Sequence, residues 1–492
     1  MSAFWEKLKL NKILSGLYFS PKEISLAKAV IFARLISPGS ELHTFKWLQK
    51  RSSLMELLKY DLSEIGKDAY YEISDLIYQY KDEIEKKIRK RLVKNYSLKD
   101  TIYLYDLTNT YFEGTMSKSQ SAEFGCSKEK RYDCRLVTLA LVVDNAGFPV
   151  YSKIYDGNQS EPETLPEILE KVISKNNKAV EKDYSIIMDR GIATKKNIDF
   201  LKENGYSYFV VERRNVTKNY KQEFSQKDEL FTKYQTSDKK DVYMKKMEEK
   251  DFDRVLVYSE GKAKKEESII GKKEQRFIED AKRLIKSNKK GYIKAQSKIN
   301  IRIGRLKERY GAIAGIYYFK LIATKKNSKK ISEIQLKKNK SKKPKKSEFA
   351  GCYVIETDRK GYTAKEIWDL YMQLNKVESA FRSMKSELGT RPIYHQLDSR
   401  INSHIFISVI AYAILHSIRY ELKNYKINHS WNELKDILST HQRATIKLKD
   451  KNNSVNYIRV SSEPNDEQSE IYNCLGINFK PNRKIKKVKF SL

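Results

Sequence analysis

Three acidic residues stand out because of where they fall in the chain. Asp106 follows the apolar run TIYLY (101–105), and Asp189 follows SIIM (185–188). Each reads as the end of a short strand buried in a sheet. A carboxylate there is costly unless a cation or hydrogen bonds compensate it, and in an open α/β sheet that edge is where ligands bind. Two such aspartates on neighbouring strands repel one another. A hard divalent cation, Mg²⁺ or Mn²⁺, removes the repulsion and suits oxygen ligands. Taken singly, each has a plainer reading. Asp106 is then a cap or turn residue before Thr108 and Asn109, and Asp189-Arg190-Gly191 is a salt-bridged turn.

The third acid, Glu378, lies in YMQLNKVESAFRSMKSE (371–387). On a continuous α-helix, positions seven apart differ by about 20° around the axis. Tyr371, Glu378 and Lys385 then share one face, with Arg382 beside Glu378 at i+4. That stripe suits a metal ligand flanked by phosphate binders. It equally suits an ordinary Glu378–Arg382 pair on a solvated face.

Composition narrows the partners. Of 492 residues, Lys and Arg number 97 against 63 Asp and Glu, a net charge of +34. Such an excess points to a polyanion, unless it reflects the Lys, Asn, Ile and Tyr usage of an AT-rich genome. With 33 Tyr and 19 Phe the chain has ample core material, so it is not a disordered polycation. No phosphate-binding Gly-rich Lys loop, no Gly-x-Gly-x-x-Gly and no His-Glu-x-x-His occurs, which argues against nucleotide-driven motors, dinucleotide enzymes and zinc proteases. The four cysteines, Cys126, Cys134, Cys352 and Cys474, lack zinc-site spacing and read as reduced and incidental. The apolar run Ile405–Ile418 is shorter than a bilayer needs, so it reads as a buried helix. The first residues lack a signal peptide's pattern; the expectation is a cytoplasmic protein with no membrane contact.

Residues 1–98 read as a helical N-terminal DNA-binding region, with helices over 21–36 and about 66–96, the latter ending in the basic KKIRKRLVK. The period then changes. Strands are expected at 101–108, 135–144 and 149–157, a helix at 165–174, a strand at 185–191, a helix at 195–204 and a strand at 207–215. This β-β-β-α-β-α-β order is an α/β sheet in which antiparallel strands lead into parallel ones. It gives a first catalytic segment at 99–215. Residues 216–350 read as an insertion domain with strands, charged helices and the basic run KKNKSKKPKKSEF, a linker or hairpin tip. A second catalytic segment, 351–424, contains a strand, a long helix over 363–387 and a buried helix over 404–422. A basic region, 425–492, ends in KPNRKIKKVKF.

Taken together, Asp106 in YDLTNTYFEG, Asp189 in IMDRG and Glu378 in Tyr-x6-Glu-x6-Lys resemble the DDE transposases of bacterial insertion sequences. The likeness is to the group whose third acid lies in a Tyr-x2-Arg-x3-Glu-x6-Lys motif; Leu374 stands at the arginine position. The stretches ARLISPGSELHTFKWL (33–48), GNQSEPETL (157–165) and SAFRSMKSELGTRPIYHQLDSRINSHI (379–405) are also similar to that family. The resemblance implies an RNase H-like mixed sheet flanked by helices, with the first and fourth strands adjacent and an insertion before the glutamate helix.

It further implies a two-metal phosphoryl transfer on DNA. Asp106, Asp189 and Glu378 would be the catalytic metal ligands, with Mg²⁺ (or Mn²⁺) as cofactor. Tyr371, Arg382, Lys385, Arg190, Lys376 and Arg391 are the candidate DNA contacts. If the motif arginine holds DNA in relatives, Arg382 or Lys376 must substitute for it here. The implied partners are double-stranded DNA, both element ends and target, and a second copy in a homodimer that pairs two ends. No nucleotide cofactor is called for. Two other readings keep parts of this: an RNase H-like structure-specific nuclease without strand transfer, and a domesticated, non-catalytic DNA-binding protein.

Overall fold

Strand β1 (Ile102–Tyr111) is rich in β-branched and aromatic residues, and its Tyr103, Leu104, Tyr105 and Leu107 are fully buried. It organises the first of two compact units, residues 1–207 with 372–492. The computed structural model describes residues 1–52, 54–58, 60–99, 101–128, 131–174, 184–236, 240–325, 328–339, 348–449 and 455–478. Most of the basic run in the expected insertion and the basic C-terminal end lie outside the described residues.

In this unit β2 (Leu136–Asp144) pairs antiparallel with β1 and with β3 (Pro149–Asp156). On the other side of β1, β4 (Ser185–Met188) runs parallel to it. The order β3-β2-β1-β4 is the RNase H-like arrangement, with the first and fourth strands adjacent. β2 is buried along its whole length, as expected of a strand covered on both faces.

Helices flank these strands. The Asp398–Asn424 helix packs against the Pro21–Ile36 helix, the Asp68–Gln79 helix and β3. It is apolar and long enough to cross a bilayer, but it is buried by these neighbours. Ser20 caps the Pro21–Ile36 helix in a reciprocal arrangement with Glu23.

Two expected helices are interrupted. The 66–96 segment breaks at Tyr80 into Asp68–Gln79 and Lys81–Tyr96. The 363–387 segment is three pieces: Ala364–Met372, Asn375–Arg382 and a π-helical turn Ser383–Glu387. At the first of these joins the hydrogen bonds tighten to i+3, Lys376 N–H to Gln373 O and Val377 N–H to Leu374 O. At the second they loosen to i+5, Leu388 N–H to Ser383 O at 3.0 Å. Apolar periodicity does not distinguish these patterns from a continuous helix.

The second unit is residues 208–371. Its sheet has the order β5-β11-β8-β7-β6. The strands are β5 (Ser207–Val211), β6 (Thr232–Gln235), β7 (Asp241–Glu248), β8 (Asp253–Ser259) and β11 (Cys352–Thr357). β11 lies antiparallel between β5 and β8. A helix of 30 residues, Glu260–Lys289, folds back on Gln296–Tyr310 and on the hairpin of β9 (Tyr317–Ala323) and β10 (Ile331–Lys338). Phe277, Tyr310 and Tyr317 form one small core there, and Leu284, Ile299, Ile303 and Ile334 a second.

The turn from β2 to β3 is closed by a buried ion pair. Asp144 is fully buried; one oxygen accepts from Arg89 Nη1 at 2.7 Å and the other from the backbone N–H of Ala146 and Phe148, both at 2.9 Å. Removing one member of such a pair costs about 3–5 kcal/mol. Asp144→Ala is expected to lower stability by that amount in urea denaturation; a wild-type midpoint would show the pair to be dispensable.

Candidate active site

The parallel pairing of β1 with β4 sets the site. Its register ends at Tyr105 opposite Met188, so Asp106 and Asp189 are the next residues on adjacent strands, on the same edge. Strand spacing of about 4.8 Å brings the two carboxylates close. Asp106 has a side chain only 15% exposed, whereas Asp189 is exposed. Burial pushes the Asp106 carboxyl up to about 6; Lys128 and the Leu107 N–H oppose the shift, and the charges of Asp189 and Glu161 add to it.

Two residues that sequence reasoning did not single out complete the cluster. Lys128, in the loop between β1 and β2, places its ammonium 3.4 Å from Asp106 Oδ1, 3.2 Å from Glu161 Oε1 and 2.6 Å from the Leu107 carbonyl. Glu161 opens a short 3₁₀ turn, Glu161–Thr164. That turn is tied to β1 by Tyr105 Oη against Thr164 Oγ1 at 2.5 Å. Asn197, buried, ties it to the Asp189 turn: its Nδ2 donates to Pro162 O at 2.8 Å and to Ile192 O at 2.7 Å. A Cβ on Gly191 would lie 3.3 Å from Glu161 Oε2 and 4.0 Å from Asp189 Oδ2. Glycine therefore keeps open the space between these two carboxylates. The signal for Glu161 was in the stretch GNQSEPETL; nothing in the sequence pointed to Lys128.

Glu378 is exposed on the Asn375–Arg382 helix, which packs across β1 and β2. Among the described residues, the group of three His, Cys, Asp or Glu ligand atoms within 4.8 Å of one another does not include it, Asp106 or Asp189. The stripe of Tyr371, Glu378 and Lys385 is not a single α-helical face, because the interruption at Gln373 and Leu374 and the π turn each shift the phase. Lys385 does reach the cluster's field: burial brings its ammonium down to about 8, as does Lys128, while Asp106 pulls it up. Arg382 and Arg190 are exposed. Lys376 is turned elsewhere; its ammonium donates to the Asn145 carbonyl in the β2–β3 turn. Arg391 is half-buried, with its guanidinium carbon 5.9 Å from the Tyr111 ring centre at the far end of β1. Tyr371 is half-buried near the end of the Ala364–Met372 helix.

A family model described as "Transposase DDE domain" matches residues 98–414. The chain belongs to that family. It is thus a transposase of the insertion-sequence DDE type, an enzyme group that depends on a divalent metal. No curated protein matches it. The match begins just before β1 and runs through Asp106, Asp189 and Glu378 into the buried Asp398–Asn424 helix.

The residues at the β1–β4 edge fit a hard cation. All the donors are oxygens, an ammonium already stands between two of them, and Gly191 leaves room. The cluster of Glu41, His395 and His404 is of another kind. His395 Nε2 lies 2.6 Å from Glu41 Oε2, and the buried Arg34 guanidinium faces both ring nitrogens of His404, at 2.9 and 3.4 Å. Arg34 supplies the positive charge there, so a metal would be repelled rather than held.

The Asp106 shift makes a stability prediction for the transposase. Its folded-state value, about 6, lies above the ordinary 3.8. The folded state therefore binds the proton more tightly, and stability falls as pH rises between those values. At pH 7.5 the ionised carboxylate costs up to about 3 kcal/mol. Asp106→Asn is expected to melt higher than wild type in EDTA at that pH and to lose this advantage at pH 4. A lower melting temperature at pH 7.5 would contradict the burial argument.

Proposed function

We propose that this transposase cuts DNA at the ends of an insertion sequence and joins the freed 3′ ends to target DNA. The observation that carries this reading is the β1–β4 register, which puts Asp106 and Asp189 side by side at one sheet edge within a chain of the DDE family. Both steps are displacements at a phosphodiester, first by water and then by the freed 3′-OH. The first breaks a phosphodiester and leaves a 3′-OH and a 5′-phosphate monoester, which is downhill; the second exchanges one phosphodiester for another, so no nucleotide hydrolysis is required.

Asp106 and Asp189 would hold the cation, with Mg²⁺ the natural occupant and Mn²⁺ a substitute. Bound there, the cation supplies activation of the attacking oxygen and stabilisation of the leaving one. Glu378 is the third ligand in this reading and closes on the pair when DNA binds; the i+3 and i+5 joins on either side of its helix are the places where such a movement is easiest. Lys385, with its ammonium in the field of Asp106, neutralises the scissile phosphate. The exposed Arg382 and Arg190 take flanking phosphates, and Tyr371 and Arg391 position DNA. No protein nucleophile is needed. Two ends are held by a homodimer, and the net charge of +34 serves binding along the duplex.

The test is a cleavage and strand-transfer assay with the element's own ends. Asp106→Ala, Asp189→Ala and Glu378→Ala are each expected to reduce cleavage by at least 10³-fold, an order typical of losing a group that acts in the transition state. End binding should stay within a few-fold. Its log affinity should fall with log salt by about 0.9 per phosphate neutralised. Full cleavage in any of the three variants overturns the assignment. Cleavage without strand transfer would instead favour a structure-specific nuclease.

A further inference from the structure

We infer that Lys128 is a built-in counter-cation of the carboxylate site, held by Glu161 in the metal-free protein and displaced when a divalent ion enters. The inference rests on the metal-dependent reading of the same edge and adds two residues to it. Lys128 is not on the sheet. It reaches in from the loop between β1 and β2 and meets three oxygens of three residues: Asp106 Oδ1, Glu161 Oε1 and the Leu107 carbonyl. That donor set, two carboxylates and a carbonyl, is one a hard cation takes. An ammonium and a divalent ion cannot share it, because like charges at that distance repel strongly. The lysine has somewhere to go, since its side chain is 40% exposed. Asp106, only 15% exposed, does not. Asp106 is fixed by the sheet, and the Glu161 turn is fixed by Thr164 on Tyr105 and by Asn197 on Pro162 and Ile192. The moving part is therefore the lysine. Glu161 then has a defined role as the partner that keeps the ammonium at the site until metal replaces it, so that Asp106 and Asp189 are not left facing each other uncompensated.

Two measurements on the full-length protein test this. The first is Mn²⁺ binding by calorimetry. Lys128→Met is expected to bind Mn²⁺ about tenfold more tightly than wild type, the effect of removing a like charge from the site. The second separates displacement from simple charge repulsion: the rate at which Lys128 is reductively methylated, read by mass spectrometry. In wild type it should be slow in EDTA and several-fold faster with saturating Mn²⁺; in Glu161→Gln it should be fast in both. Asp189→Asn is the control for the underlying reading and should lose Mn²⁺ binding. If Asp189→Asn binds Mn²⁺ as wild type does, the metal site itself is misplaced and the inference falls with it. If Asp189→Asn loses binding but Lys128→Met binds like wild type, or Lys128 is methylated equally with and without Mn²⁺, the metal reading stands and the Lys128 inference is wrong.

Discussion

The structure around the site depends on one constraint: β1 and β4 are parallel neighbours, and each carries an aspartate at the same register level, one residue past the last paired position. A sheet holds strands about 4.8 Å apart and does not let them spread to relieve repulsion. The compensation has to come from the groups around the carboxylates. It comes from Lys128 in one loop, from the Leu107 N–H that donates to Asp106 Oδ1 at 2.8 Å, and from the space that Gly191 leaves beside Asp189. The raised proton affinity of Asp106 is the remaining cost of that placement.

A second set of contacts secures the chain on the C-terminal side of Glu378. Arg34 lies on the Pro21–Ile36 helix and Glu41 at the start of the next. They reach Gly389 O, His395 and His404 through the buried network of Arg34, His404, Glu41 and His395. Burial pushes the Glu41 carboxyl up, but the His395 hydrogen bond and the charges of His395 and Arg34 outweigh it and bring it down to about 2. Burial and Arg34 keep the His404 imidazole neutral. Ile393, between Arg391 and His395, bonds with the backbone of Tyr111 and Glu113 at the end of β1. Trp431 adds a bond from its indole N–H to Leu35 O at 2.8 Å. The N-terminal helices thus anchor the segment that follows the Glu378 helix.

Much of this was legible in the sequence because it rests on local pattern. The runs TIYLY and SIIM gave both strands and both aspartates, and the β-β-β-α-β-α-β order comes from the change of period at residue 101. The RNase H-like adjacency of β1 and β4 came from family likeness; no local pattern carries it. Lys128 was not legible at all. Its role exists only when a loop 22 residues past Asp106 folds back on the sheet, and a lone lysine among 97 basic residues carries no signal. Glu161 lay in a recognised stretch, yet its proximity to Asp189 depends on Asn197 bridging two turns. The seven-residue spacing of Tyr371, Glu378 and Lys385 was correct as sequence but incomplete as geometry. Hydrophobic periodicity is blind to whether a turn closes at i+3, i+4 or i+5.

The same interruption sets the surroundings of Leu374. The arginine of that motif falls at residue 374, where this chain has leucine. Leu374 is buried in the tightened turn between the Ala364–Met372 and Asn375–Arg382 helices. A side chain that packs inward there cannot face a phosphate. Of the two cations in reach along the sequence, Lys376 has its ammonium on the Asn145 carbonyl, in the β2–β3 turn just past Asp144, which pairs with Tyr103 rather than with Asp106. Moving it would uncover a turn already held together by Asp144. Arg382 lies exposed one helical turn beyond Glu378. That exposure is what favours Arg382 over Lys376 in the proposal that a cation beside Glu378 holds DNA.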